Sequence, residues 1–307
     1  MLNNKIENLD ETVIKALNYF IKERPKKLNF KKSQLKLVIG SVNAYNTAKL
    51  IFADFPVIFA DETNLIKTLE NFKTIINKKI IDEAIVISAS GEKDAIWEIK
   101  ACKDLKIKTT LLTCNLKASS IKLADKAIVF DKIAEPYSYN FSTYISMLLA
   151  YFQEDPKQIK NYLLNLKTPK NFKNYSYYSF ILPNKWRAVA DMIKVKDDEM
   201  FAAKSKIRAF SEGQARHAKF IYQDKNELVI SFAKNKYFGR KENRWEINTG
   251  NKKEAAFALS LAYFIVGLIQ KNKTDYFKKS LKDYCLNRGP KPYNSKNKFN
   301  IIVTGNN

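Results

Sequence analysis

The stretch Ile85-Val86-Ile87-Ser88-Ala89-Ser90-Gly91-Glu92, followed by Lys93-Asp94-Ala95-Ile96-Trp97-Glu98-Ile99, constrains this chain more than any other. A short β-branched run reads as a buried strand of a parallel sheet, and the segment after it has helical spacing. The turn between them holds two serines and a glycine. Small residues let backbone approach a ligand closely, and the first turn of a helix offers unpaired N–H groups at the positive end of its dipole. Hydroxyls and amides at a strand-to-helix turn suit a phosphate. The plain alternative is an ordinary connecting loop.

The same grammar repeats along the first half. A helix from Leu9 to Phe20 ends at Arg24-Pro25, and strands follow at Lys36–Ile39, Pro56–Ala60, Lys108–Thr113 and Ala127–Phe130. Helical segments run to Phe52, from Glu62 to Phe72, to Leu105, from Ser119 to Ala124, and from Glu135-Pro136-Tyr137 to Phe152. Alternation of this kind predicts a parallel sheet with helices on both faces, whose ligands lie at the carboxyl ends of the strands. Gly40-Ser41-Val42-Asn43, Ser88–Gly91 and Thr113–Ser120 all fall on that rim. The polar stretch 154–175 reads as a linker. Beyond it the pattern loosens: strand Ser176–Leu182, helices Trp186–Lys194 and Asp198–Arg208, strands Glu227–Phe232 and Trp245–Ile247, and helix Lys253–Gln270. A basic tail carries Thr274–Leu286 and ends in Ile301-Ile302-Val303. No Gly-Ser turn matching the first half appears. The expected organisation is a domain over 1–153 with its N-terminal helix, a linker over 154–175, and a second, degenerate domain over 176–307.

Composition narrows the function classes. The net charge of +23 invites a nucleic-acid reading, but the 54 basic residues are nearly all lysine and evenly spread. There is no arginine block, zinc-finger spacing or glycine-aromatic RNA motif, so no specific nucleic-acid partner is expected; a general pull on anionic metabolites fits better. Three cysteines (Cys102, Cys114, Cys285) form neither a disulfide framework nor a zinc pattern, and nothing suggests a metal or cofactor. Met1–Lys5 opens into a charged helix without a signal-peptide pattern, and the apolar run Ala255–Ile269 is short for a bilayer. The expectation is a cytoplasmic protein without a membrane partner.

Three segments carry a family likeness in order: Gly40…Tyr45…Ala48; Ser88-Ala89-Ser90-Gly91-Glu92; and Thr113…Ser119-Ser120-Ile121-Lys122-Leu123-Ala124-Asp125. The second is close to a Ser-x-Ser-Gly-Glu-Thr phosphate loop and the third to a Thr…Ser-x-x-Leu-Ala-Asp run. Residues 36–150 thereby resemble the sugar isomerase (SIS) domains that bind phosphosugars. Across both halves the chain resembles the tandem group that includes the isomerase half of glucosamine-6-phosphate synthase and the fructosamine deglycases. Ile193-Lys194-Val195-Lys196-Asp197 is similar to that group's Leu-Lys-Leu-Lys-Glu, and Gly213-Gln214-Ala215-Arg216-His217 to its Gly-Glu-x-x-His segment. There are departures. The family's Gly-x-Gly-x-Ser stands here as Gly40-Ser41-Val42-Asn43-Ala44, and Lys93 replaces the threonine closing the phosphate loop.

The resemblance implies two tandem three-layer α/β/α domains, a homodimer, a phosphorylated sugar as ligand, and aldose–ketose isomerisation or a deglycase reaction through an enediolate. That chemistry needs a ring-opening group, a base for the proton alpha to the carbonyl, and charge stabilisation. His217, the single histidine, falls at the ring-opening position. Asp197, Asp198 and Glu199 lie near the base, with Glu212 a further acid. Gly40, Ser41, Asn43, Ser88, Ser90, Gly91, Glu92, Lys93 and Glu135 would bind substrate, with Lys93 a direct counter-charge to the phosphate. Lys279 or Lys282 would serve as the tail lysine. Each has a plain counterpart: His217 as a surface residue, the acids as an exposed turn, Glu135 as a helix-start charge. The rival function is a phosphosugar-binding or regulatory protein without turnover.

Overall fold

The computed structural model describes residues 6–32, 34–204, 206–250, 253–273, 276–288 and 300–305. By internal packing these residues form two compact units: a first of 23–135, 142–153 and 300–305, and a second of 6–22, 136–141 and 154–288. Both ends of the chain therefore cross the expected ranges. Helix α1 (Leu9–Lys22) belongs with the later sequence, and residues 300–305 with the earlier. The middle of the basic tail, 289–299, lies outside the described residues, as does Thr274.

The first unit follows the predicted alternation closely. Its elements are β1 (Leu35–Gly40), α2 (Asn43–Ile51), β2 (Val57–Ala60), α3 (Leu65–Asn71), α4 (Lys73–Asn77), β3 (Ile81–Ile87), α5 (Asp94–Asp104), β4 (Lys108–Thr113) and β5 (Lys126–Val129). They form one parallel sheet of order β2-β1-β3-β4-β5. Leu37, Ile39, Val86 and Leu111 pack with Leu65 and Leu69 of α3 and Ile99 of α5, burying the apolar strand faces that the β-branched runs advertise. The expected helix opened by Glu135 is displaced. Glu135–Pro136 is a short strand, β6, paired with β11 (Ile302–Val303), and Ser138 and Asn140 have positive φ. Such backbone cannot continue a helix, so α6 starts only at Phe141 and ends at Phe152.

The supposed linker holds a helix. Asp155 caps α7 (Pro156–Leu164) by accepting the Lys157 N–H at 2.9 Å, with Pro156 at the first helical position. In the second unit, β7 (Tyr177–Leu182), β8 (Ile207–Ser211), β9 (Glu227–Ser231) and β10 (Arg244–Glu246) form a parallel sheet of order β10-β9-β7-β8. Read from its other edge, this is the first sheet's order without the fifth strand. The segment expected as a helix over Asp198–Arg208 divides instead: α8 (Arg187–Phe201) is continuous past Asp198, and Arg208 lies in β8. A short α9 (Glu212–Ala218) follows, then α10 (Ala255–Asn272) and α11 (Tyr276–Asp283). At 18 residues α10 is long and apolar enough to cross a membrane, yet 83% of it is buried inside the protein. It is the core helix of its unit, packed on α1, α7 and α8.

Candidate functional site

In the first unit the sheet order reverses between β1 and β3, and a crevice at such a switch point is where open α/β sheets bind ligands. Gly40 stands opposite Ile87 in the register, so the Ser41–Val42 and Ser88–Lys93 turns leave the rim side by side. A Cβ at Gly40 would lie 3.0 Å from the Ala44 and Tyr45 backbone, so only glycine lets α2 start this close to the strand. The residues before α2 and α5 share an unusual backbone: Val42 at φ 49°, ψ −106° and Lys93 at φ 50°, ψ −106°. Neither has glycine's freedom, and strain of about 1–3 kcal/mol each is typical of such positions, which cluster at ligand clamps. Neither helix start carries a side-chain cap. Two helix N-termini without side-chain caps thus flank the switch point, and the dipole at such a terminus favours an anion.

The Ser88–Lys93 turn is held from within. Ser88 Oγ accepts the Gly91 N–H at 3.1 Å, and Ser90 Oγ accepts that of Glu92 at 3.3 Å, so each hydroxyl proton can be donated outward. Ser120 Oγ donates to the Gly91 carbonyl at 2.5 Å, and Asn115 Nδ2 to that of Ser90 at 2.9 Å. Gly91 sits at φ +61°, and a Cβ there would fall 2.5 Å from Ala118 Cβ and 2.8 Å from Ser120 Oγ. Conformation and space both demand glycine. Glu92 accepts the Ser119 N–H at 2.7 Å, tying the turn to its neighbour. Lys93 is exposed, its Nζ 3.8 Å from Asp94. Asn43 is buried, and its Oδ1 has no hydrogen-bond partner among the described residues. Glu135 is buried and accepts the Ser142 N–H and hydroxyl, the latter at 2.7 Å, so it steadies the start of α6 from outside the helix.

A buried acid beside this rim escaped the sequence reading. Glu98 of α5 is 2% exposed, and its Oε1 has no hydrogen-bond partner among the described residues. Burial, then Asp94, Glu62 and Asp61, push its pKa up to about 8. The i,i+4 pair Asp94–Glu98 on a half-buried helix was the available signal. Burial likewise pushes the Cys102 and Cys114 thiols up to about 12, so neither is a reactive thiolate.

The second unit holds the acids and histidine. Asp197 is buried, and its Oδ1 accepts the Lys206 and Ile207 N–H groups, each at 3.1 Å, fixing the approach to β8. Lys196 is fully buried and bonds the Ser138 carbonyl and Glu199. Burial raises the Glu199 pKa, and Lys196 pulls it back. His217 is exposed on α9 and lines a cleft of about 680 Å³ with Asn184, Arg187, Lys194, Phe210, Ser211, Gly213 and Gln214. The structure therefore gathers Gly40, Ser41, Asn43 and Ser88–Lys93 on one rim of the first unit. His217 stands in a cleft of the second, apart from the bonds that engage Asp197 and Glu199. Asn184 and Arg187 went unnoticed because they follow β7 without glycine or paired hydroxyls.

No family profile matches the sequence, and no curated protein matches it. Solved structures do. The C-terminal domain of glucosamine-fructose-6-phosphate aminotransferase from Francisella tularensis superposes with a TM-score of 0.56 at 15% identity, covering 87% of this chain and 96% of that one. Tagatose-6-phosphate ketose/aldose isomerase from Escherichia coli gives 0.55 at 13% identity, covering 85% and 87%. Glucosamine-6-phosphate deaminase from Thermotoga maritima gives 0.51 at 14%, covering 86% and 91%. The α/β fold with two parallel sheets expected from the family likeness is thereby shared with these structures across both halves of the chain.

Proposed function

We propose that the protein binds a phosphorylated sugar at the β1–β3 switch point of its first unit and interconverts aldose and ketose forms of it. One observation carries this reading: two uncapped helix starts on adjacent parallel strands, each preceded by a strained residue, with the Ser88 and Ser90 hydroxyls between them. That is a cradle for a dianion with several oxygens, and Lys93 adds a counter-charge where a threonine would add only a hydroxyl. The likeness to isomerases and a deaminase of sugar phosphates supports the substrate class. The reaction needs one group that opens the ring by proton exchange with the ring oxygen and the anomeric hydroxyl. A carboxylate then moves one proton between the two carbons flanking the enediolate. An acid of Asp197–Glu199 is the base; Asp197 is held by two backbone amides and Glu199 by Lys196. A homodimer in the cytoplasm is part of the same proposal.

The second reading, a phosphosugar-binding protein without turnover, is favoured by those same ties on Asp197 and Glu199. A thermal-shift screen against hexose and hexosamine 6-phosphates, with free sugars and inorganic phosphate alongside, tests the site. A ligand at 100 times its Kd adds about 2.7 kcal/mol of stability. The shift should shrink in Ser90→Ala; a shift no larger than that of phosphate alone refutes the sugar reading. NMR of the bound sugar after incubation then separates isomerase from sensor by the appearance of the isomer.

A further inference from the structure

The cleft around His217 is built entirely from the second unit. Its lining contains Arg187, Lys194 and His217, two side-chain amides and one hydroxyl, and no carboxylate. The amides are oriented by their own bonds. Asn184 Oδ1 accepts the Gly213 N–H at 2.8 Å, and Gln214 Oε1 accepts the Ser211 N–H at 2.9 Å. With both carbonyl oxygens engaged on backbone, each amide keeps its NH2 as a free donor. Gly213 keeps Asn184 close, since a Cβ there would stand 3.1 Å from Oδ1. Arg187 and His217 form no ion pair or hydrogen bond among the described residues, and Lys194 shares its charge with Asp191 at 2.9 Å. The cleft lies at the carboxyl ends of β7 and β8, where α/β sheets place ligands. Its volume falls within the usual range for small-molecule sites. Phe210 supplies one apolar wall.

We propose that this cleft is a second binding site, independent of the Ser88 turn, for the phosphate group of a small phosphorylated metabolite. Arg187 and Lys194 pair with the phosphate, Asn184 and Gln214 donate to its remaining oxygens, and the molecule's carbon skeleton rests against Phe210. A planar guanidinium without a carboxylate partner, beside an ammonium and two free amide donors, matches a phosphate bidentately and leaves a cation with nothing to bind.

The single histidine makes the test direct, because its Hε1 resonance reports this cleft alone. Fructose 6-phosphate and inorganic phosphate are titrated separately into the full chain while the His217 signal is followed. A bound dianion should shift the resonance. The response should persist in Ser90→Ala and weaken by about tenfold or more in Kd in the double variant Arg187→Gln/Lys194→Gln. Both substituted side chains are on the surface, and the amide backbone spectrum verifies the fold. Absence of a response in the wild type overturns the proposal, as does a response that Arg187→Gln/Lys194→Gln leaves intact. Loss of the response in Ser90→Ala also overturns it, since that outcome means one shared site. A thermal shift that Ser90→Ala leaves unchanged, with a normal His217 response, would instead refute only the switch-point reading.

Discussion

Glu98 makes the stability of the first unit depend on pH in a direction opposite to most carboxylates. Its pKa rises from 4.5 to about 8 because α5 buries it and three acids face it. Between those two values the folded chain holds about one proton more than the unfolded chain. The contribution of this group is fully present below pH 4.5 and is lost as pH rises through about 8, at about 1.4 kcal/mol per pH unit. At pH 7 the loss amounts to about 3 kcal/mol. Glu98→Gln removes the titration while preserving shape and one N–H in place of the O–H. The variant should therefore match the wild type near pH 4.5 and exceed it by about 2–3 kcal/mol at pH 7. Urea unfolding of both proteins at half-unit pH steps reads the difference, and all other titrating groups cancel between them. A difference that stays flat between pH 5 and pH 7.5 would refute the reasoning.

Three further outcomes follow from the geometry. Val42→Gly relieves the positive φ at a half-exposed valine, so it should stabilise the first unit, or cost less than an ordinary glycine substitution, within about 1 kcal/mol in urea unfolding. Gly91→Ala should destabilise by about 2–4 kcal/mol and weaken the sugar-phosphate shift, because the new Cβ meets Ala118 and Ser120. Asp197→Asn keeps an acceptor for the Lys206 and Ile207 amides and should retain any isomerase activity, whereas Asp197→Ala should lose about 1–3 kcal/mol; abolished turnover in a fully stable Asp197→Asn would give Asp197 the role of base.

The first sheet was legible because its signals are local. Ile85–Ile87 is apolar and β-branched, Gly91 is where the chain must turn, and Trp97–Ile99 resumes helical spacing within a dozen residues. Strand β8 was not, because it is an edge strand. Its five residues alternate burial around Arg208, whose side chain is 52% exposed and bonds Glu227 of β9 at 2.5 Å. Over so short a span that alternation does not exclude a helix. Asp155-Pro156 was read as a break although the same pair is a helix start; both readings use the same residues, and only the packing of Ile159 and Leu163 decides. For the site, the Ser88 turn could be found from its residues alone. The cleft of Asn184, Arg187 and His217 could not, since its members are joined by the register of β7 with β8 rather than by spacing.

The placement of α1 has a consequence for how the molecule is made. Its apolar face of Leu9, Val13, Ala16, Leu17 and Phe20 is wholly covered, and α10 accommodates it so closely that Gly267 has no room for a methyl group beside Asp10. Yet on the ribosome α1 emerges long before α10, whose first residue is Ala255. At about 5–20 residues per second, the segment waits roughly 10–50 seconds for the surface it belongs to. During that interval the first unit can close its sheet from residues already present, while the opening helix stays unpaired with five large or apolar side chains uncovered. A ribosome stalled before residue 255 would thus display a finished sheet tethered to a sticky leader. The chain's weak moment in the cell is its half-made state, and a holding chaperone would find its grip on α1.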